Sequence, residues 1–185
     1  LLNTFVPAIH DFRKLVIVSP FQEVPIYLKN RNPASLNEEK SSFFSRTWCI
    51  FEVFCAAKAN CPVDFAMKED EIAEFTNIMT KNGDIFMGII GSIDIINSET
   101  GQQDFHAKKT DKMHILSAVK KMKIEERKLN EMVSEQMRKS ASVLVGTIPW
   151  DTNKDELQDE FQLANVYKDL GQYEEALEIY ERIEK

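Results

Sequence analysis

The sequence predicts an α/β fold: a partial parallel sheet followed by an α-helical hairpin. Three observations predict it. Leu15–Val18 is apolar at every position, the pattern of a strand buried on both faces of a parallel sheet. Two more short apolar runs, Val63–Met67 and Ile93–Ile96, alternate with segments of helical spacing, as strand–helix–strand units require. Finally, residues 157–185 form two helical segments joined at Gly171.

The elements follow in chain order. Leu2, Phe5, Val6, Ile9 and Phe12 recur at helical spacing and predict a short helix. The first strand closes at Ser19-Pro20, and residues 29–42, rich in Asn, Pro, Ser and Glu, predict a long loop. Ser45 is the expected N-cap of a helix running to about Asn60, and Pro62 ends it. A helix is expected over Glu69–Lys81 with Ile72, Phe75, Ile78 and Met79 inward, broken at Gly83. Asp84–Ile90 reads as another helical turn or two. Ser98–Lys108 is polar linker, after which Ile115, Val119, Met122, Leu129, Val133 and Met137 mark one long amphipathic helix. Gly146 and Pro149 place a boundary between an α/β domain, residues 1–146, and the hairpin, residues 151–185. Three strands make a thin parallel sheet, so a further strand is expected to precede Leu1.

Charge narrows the partners. Residues 151–185 carry 11 acidic and 4 basic side chains, which accounts for the whole net charge of −7. A neutral body with an acidic tail argues against nucleic acid, because phosphate binding wants clustered Lys and Arg. The basic-rich stretch Lys108–Lys139 interleaves its cations with Glu125, Glu126 and Glu131 and reads as a solvated helix face. No apolar run reaches about 18 residues, so no membrane span is expected, and no basic-then-apolar leader is visible.

Site chemistry is sparse. Cys49, Cys55 and Cys61 are odd in number and lack C-x-x-C spacing, so buried reduced thiols in a reducing, cytoplasmic setting are expected, with no metal site. His10, His106 and His114 are scattered. No Gly-rich phosphate loop and no G-x-S-x-G elbow occurs. Gly88-Ile89-Ile90-Gly91 reads as structural, and Asp70-Glu71 and Glu125-Glu126 fall on helix ends or surfaces. No cofactor is expected.

One residue stands apart. Trp48-Cys49-Ile50-Phe51-Glu52-Val53-Phe54-Cys55-Ala56-Ala57 is apolar all round except for Glu52, and such a helix is buried. An unpaired buried carboxylate is costly, so Glu52 must be paired, protonated or lining a cleft, with Arg46 and Arg13 as candidate partners.

The hairpin is the most specific segment. Leu163-Ala164-Asn165-Val166-Tyr167 leads through Leu170-Gly171-Gln172-Tyr173 to Glu175-Ala176-Leu177 and Tyr180. Ala164 and Ala176 let two helices cross closely, and Gly171 permits the tight turn. Tyr173, Leu177 and Tyr180 are expected to fill the space around the crossing. This segment resembles the tetratricopeptide repeat, and by that resemblance Ala164, Tyr167, Gly171, Tyr173, Ala176 and Tyr180 are its packing positions. One such unit cannot bury its own faces, so further repeats are expected after Lys185.

A second resemblance covers roughly residues 1–100. The strand Leu15–Val18 ending in Ser19, then Ser45-Arg46-Thr47-Trp48-Cys49-Ile50-Phe51-Glu52-Val53, resembles the Toll/interleukin-1 receptor (TIR) pattern of a strand ending in Ser followed by S-x-W-C-x-x-E-L. The family's first strand and its loop would lie before Leu1, the loop over residues 29–44 is longer than usual, and Val53 replaces Leu. TIR domains are doubly wound parallel α/β folds that self-associate and scaffold signalling, and some hydrolyse NAD with the glutamate of this helix, so the resemblance implies a partial doubly wound parallel sheet here. The resemblance thus implies Glu52 as catalytic carboxylate, with Ser19 and Trp48 as neighbours of the nucleotide pocket and NAD as substrate. A TIR-like segment followed by tetratricopeptide repeats is also similar to algal and protist proteins labelled kinesin-light-chain-like. Two functions are therefore expected in order: a cytoplasmic protein-interaction and signalling scaffold that binds other proteins and self-associates, or an NAD hydrolase.

Overall fold

The structure, a computed structural model, describes residues 14–18, 46–98, 105–147 and 156–184. The expected helix over residues 2–12, the loop over residues 29–42, and Arg13, Ser19, Ser45 and Pro149 lie outside them. The described chain is mostly helical with one small parallel sheet. Its elements are β1 (Leu15–Val18), α1 (Thr47–Lys58), β2 (Val63–Ala66), α2 (Glu69–Gly91), α3 (Phe105–Lys121), α4 (Glu126–Thr147), α5 (Glu156–Asp169) and α6 (Tyr173–Ile183).

β1 and β2 pair in parallel, Leu15 opposite Val63 and Ile17 opposite Phe65. Side chains alternate across a strand, so Leu15, Ile17, Val63 and Phe65 share the face turned to the core. The expected burial on both faces is not found. Val16 is 49% exposed and Val18 72%. They share their face with Ala66 and with Asp64, which ion-pairs with Lys14, so that face is open, and only Ile17 of β1 is fully buried.

α1 is the centre of the core. Phe51, Val53, Phe54, Cys55 and Ala56 are sealed from solvent, and α1 packs against α4 and α3. Full burial of a large apolar side chain is worth about 1.5–3 kcal/mol. Arg46 stands at the N-cap without a side-chain cap bond. The C-terminus closes with Asn60 left-handed at φ 50°. Cys61 N–H donates to Ala56 O at 2.9 Å and Asn60 N–H to Ala57 O at 3.2 Å, the pair of bonds that ends a helix on a left-handed residue.

α2 begins on Glu69, Asp70 and Glu71, whose charges suit a helix N-terminus, and the Lys68 N–H donates to Glu71 Oε2 at 2.9 Å. Gly83 does not break it. The apolar spacing of Phe75, Ile78 and Met79 runs on through Phe86, Ile89 and Ile90, and Phe75 meets Phe86 edge-on at 5.7 Å. Gly83 is a contact point instead: a Cβ there would lie 2.8 Å from Asp169 Oδ2 of α5.

The expected third strand, Ile93–Ile96, is a turn. Its backbone donors are taken by the end of α2 and by side chains, Ile93 N–H donating to Ile90 O at 3.4 Å. Ile95 N–H donates to Asn130 Oδ1 of α4 at 3.2 Å, while Ile96 and Asn97 N–H donate to Asp94 Oδ1. Ile93 and Ile95 still point inward and are buried. The expected linker over Ser98–Lys108 is already helical from Phe105.

The expected single helix through Ile115–Met137 is two, α3 and α4, separated at residues 122–125 with Lys123 at φ 54°. The apolar pattern conceals the break because Met122 and Leu129 are seven residues apart, about two helical turns, so the phase is kept. Nor does Gly146 end α4, which continues to Thr147.

The hairpin α5–α6 docks on this body. α5 packs against α2, and Val166 and Leu170 join the same buried cluster as Ile17, Phe54 and Val133.

Candidate functional site

Two places carry candidate residues: the outer face of α1 and the hairpin. Trp48 and Glu52 are one helical turn apart on α1, and both are half-buried where Thr47, Cys49, Ile50, Phe51, Val53 and Phe54 are buried. Trp48 meets Phe51 edge-on at 6.3 Å. Burial pushes the Glu52 carboxyl above the ordinary glutamate range, and the Arg46 charge opposes this. Among the described residues Glu52 makes no ion pair, so Arg46 acts on it through its field alone.

The thiols beside it are inert. Burial, opposed by Arg46, lifts Cys49 to about 11, and burial, opposed by Lys58, lifts Cys55 to about 12. Thiolate is the nucleophile and metal ligand, and both thiols stay protonated near neutral pH. All three cysteines are free and buried, as the sequence predicts. Among the described residues no three His, Cys, Asp or Glu side chains gather as metal ligands, and no helix is long and apolar enough to cross a membrane.

Two clefts lie elsewhere. One of about 570 Å³ runs between the turn at residues 93–97 and α4, lined by Asp94, Asn97, Arg127, Asn130, Glu131 and Arg138 among others. Burial would raise Asp94, but bonds from the Asn97 side chain and from the Ile96 and Asn97 backbone outweigh it and hold the carboxyl below its usual value. The second, of about 300 Å³, opens beside Cys61, Met132 and Lys139. Glu52 and Trp48 line neither cleft. Ser19, the third expected member of a nucleotide pocket, lies outside the described residues.

The turn at residues 93–98 is fastened by residues that sequence reading passed over. Thr47 Oγ1 and Ser98 Oγ are 2.7 Å apart and buried. Lys112 donates to Ile96 O at 2.7 Å and Ser98 O at 2.6 Å. Only Asp94-Ile95-Ile96-Asn97 carries a local signal for this, as an Asp two and three residues before backbone donors.

The hairpin gathers more of the expected residues. Ala164 and Ala176 are buried, one on each helix, and α5 packs along α6. Gly171 adopts φ 79°. Gln172 N–H donates to Tyr167 O at 2.8 Å and Gly171 N–H to Lys168 O at 3.0 Å, closing α5 as the glycine turn requires. Tyr180 donates to Asn165 Oδ1 at 2.8 Å and meets Phe161 edge-on at 5.7 Å. Arg182 pairs with Glu160 at 2.8 Å. Asn165 was not singled out by the sequence, yet it also donates to Phe161 O at 3.0 Å.

Two placements depart from expectation. Tyr173 is 70% exposed and Leu177 56% exposed, so neither fills the crossing. Successive residues turn by about 100°, which puts Tyr173 and Leu177 away from the arc of Ala176 and Ile179 that faces α5. Tyr167 serves the contact with the body: a Cβ on Gly146 of α4 would lie 3.1 Å from its hydroxyl. Burial raises the Tyr167 phenol, and Glu175 adds to this.

No family model, no curated protein and no solved structure matches the chain.

Proposed function

We propose that the chain is a protein-interaction and signalling scaffold, in which a TIR-like body of doubly wound type holds a tetratricopeptide-type hairpin whose outer face receives a protein partner. The observation that carries this is the division of α6. Ala176 and Ile179 are buried against α5, while Tyr173 and Leu177 stand exposed among acids. Aromatic and large aliphatic residues on an otherwise charged face mark contact surfaces. The parallel β1–α1–β2 unit and the W-C-x-x-E helix support the TIR-like reading of the body, with self-association as its further role and the cytoplasm as its place.

The test is affinity capture followed by mass spectrometry with the intact chain and with Tyr173→Ser/Leu177→Ser. Proteins recovered by the first and lost with the second are expected. Identical recoveries contradict the reading.

A second reading, cleavage of NAD with Glu52 as the essential carboxylate, draws on the raised proton affinity of Glu52 beside Trp48. Equal NAD loss with the intact chain and with Glu52→Ala, or none with either, rejects it.

A further inference from the structure

α6 and α3 carry opposite, unmatched charges around exposed apolar residues. On α6 and its C-cap Glu184, Tyr173, Leu177, Glu174, Glu181 and Glu184 fall within an arc of about 100° at about 100° per residue. All five are exposed. None of these acids takes part in an ion pair among the described residues, and the one base of α6, Arg182, is held by Glu160.

On α3, Met113, Ser117, Lys120, Lys121 and His114 fall within an arc of about 120° by the same geometry, and all are exposed. Met113 is 62% exposed. Lys120, Lys121 and the following Lys123 likewise form no ion pair among the described residues. One face sets two apolar residues, Tyr173 and Leu177, among acids, and the other sets Met113 among bases, on helices of 11 and 17 residues.

We propose that the outer face of α6 docks on the α3 face of a second copy of this chain. This rests on the scaffold reading and names a partner for the hairpin. Tyr173 and Leu177 pack against Met113, while Glu174 and Glu181 meet Lys120 and Lys121. The two faces are different surfaces, so the contact is head-to-tail and propagates into open chains unless a ring closes. One helix laid on another buries far less than the about 800 Å² per partner of a stable complex. The association is therefore weak, and its charged rim makes it salt-sensitive.

Sedimentation velocity of the intact chain over a concentration series tests this. At low ionic strength the average sedimentation coefficient rises with concentration, and it stops rising in about 1 M salt, where the Debye length is about 3 Å. Lys120→Glu/Lys121→Glu and Glu174→Lys/Glu181→Lys each weaken association at least about tenfold, about 1.4 kcal/mol. Mixed in equal amounts, the two variants recover it. The neutral pairs Lys120→Gln/Lys121→Gln and Glu174→Gln/Glu181→Gln give partial losses, which keeps the test informative should a reversal disturb folding. A chain that stays monomeric, association indifferent to both reversals, or a mixture that fails to recover overturns the proposal. If the chain stays monomeric while captured proteins still depend on Tyr173 and Leu177, this inference falls and the scaffold reading stands.

Discussion

α1 and α6 are helices of similar length built on opposite plans. α1 is apolar around its circumference and buried, with one carboxylate, Glu52, left half-covered. α6 carries four acids, Glu174, Glu175, Glu178 and Glu181, on its exposed side, with two apolar side chains, Tyr173 and Leu177, left uncovered beside them. Each helix is conspicuous for its minority residue. On α1 the exception costs stability, because a carboxylate surrenders hydration on burial. On α6 the exception costs solubility, because apolar surface stays in water. Full burial of large side chains is accordingly concentrated in the body, and the contact proposed above lies on the hairpin.

The contrast can be broken at its strongest point first. Phe54→Ala should destabilise the chain by about 3–5 kcal/mol, as a fully buried aromatic does, seen as a fall in the urea midpoint. A loss comparable to that of an exposed residue would mean that α1 is not the core. Next comes the junction. Gly83→Leu overfills the approach of α2 to Asp169 and should cost about 1–3 kcal/mol, with faster proteolysis between α4 and α5. Unchanged proteolysis would show that the hairpin is not seated there. Gly171→Ala places a Cβ on a left-handed residue and should cost about 1 kcal/mol, read from thermal unfolding.

Glu52 gives a smaller effect whose sign depends on pH. Its folded pKa is raised, so the folded state holds the proton more tightly than the unfolded state. The stability linked to this is present below the unfolded value of about 4.3 and is lost as pH rises through the folded value. Glu52→Gln should therefore match the parent in acid and exceed it near neutral pH, measured by urea midpoints. A variant less stable near neutral pH would mean that the carboxylate is paired. Smallest of all, Leu177→Ala should stay within about 0.5 kcal/mol of the parent, as exposed sites do.

What the sequence made legible was local. Gly171, Ala164 and Ala176 declare the hairpin because a turn and a close crossing depend on neighbouring residues. The apolar run of α1 declares burial for the same reason. What stayed hidden depended on distant partners. Ile93–Ile96 has strand composition, but Asn130, 35 residues away, takes the Ile95 donor and Asp94 takes the next two. Gly83 looks like a breaker until Asp169 explains its lack of a side chain. Lys123 ends α3 in a left-handed conformation with no Gly or Asn to announce it. Tyr173 and Leu177 are apolar enough to be expected at the crossing, and only the orientation of α6 shows that they face outward. For Glu52 the sequence demanded an unusual environment, and a half-buried position with no ion pair among the described residues meets that demand without placing it in either cleft.

The most direct measurement places a photo-crosslinking residue at Leu177 on α6 or at Val143, an equally open site on α4. The account predicts abundant protein adducts from position 177 and few from position 143, with both variants folded. Equal yields from the two positions, or a larger yield from 143, would contradict it.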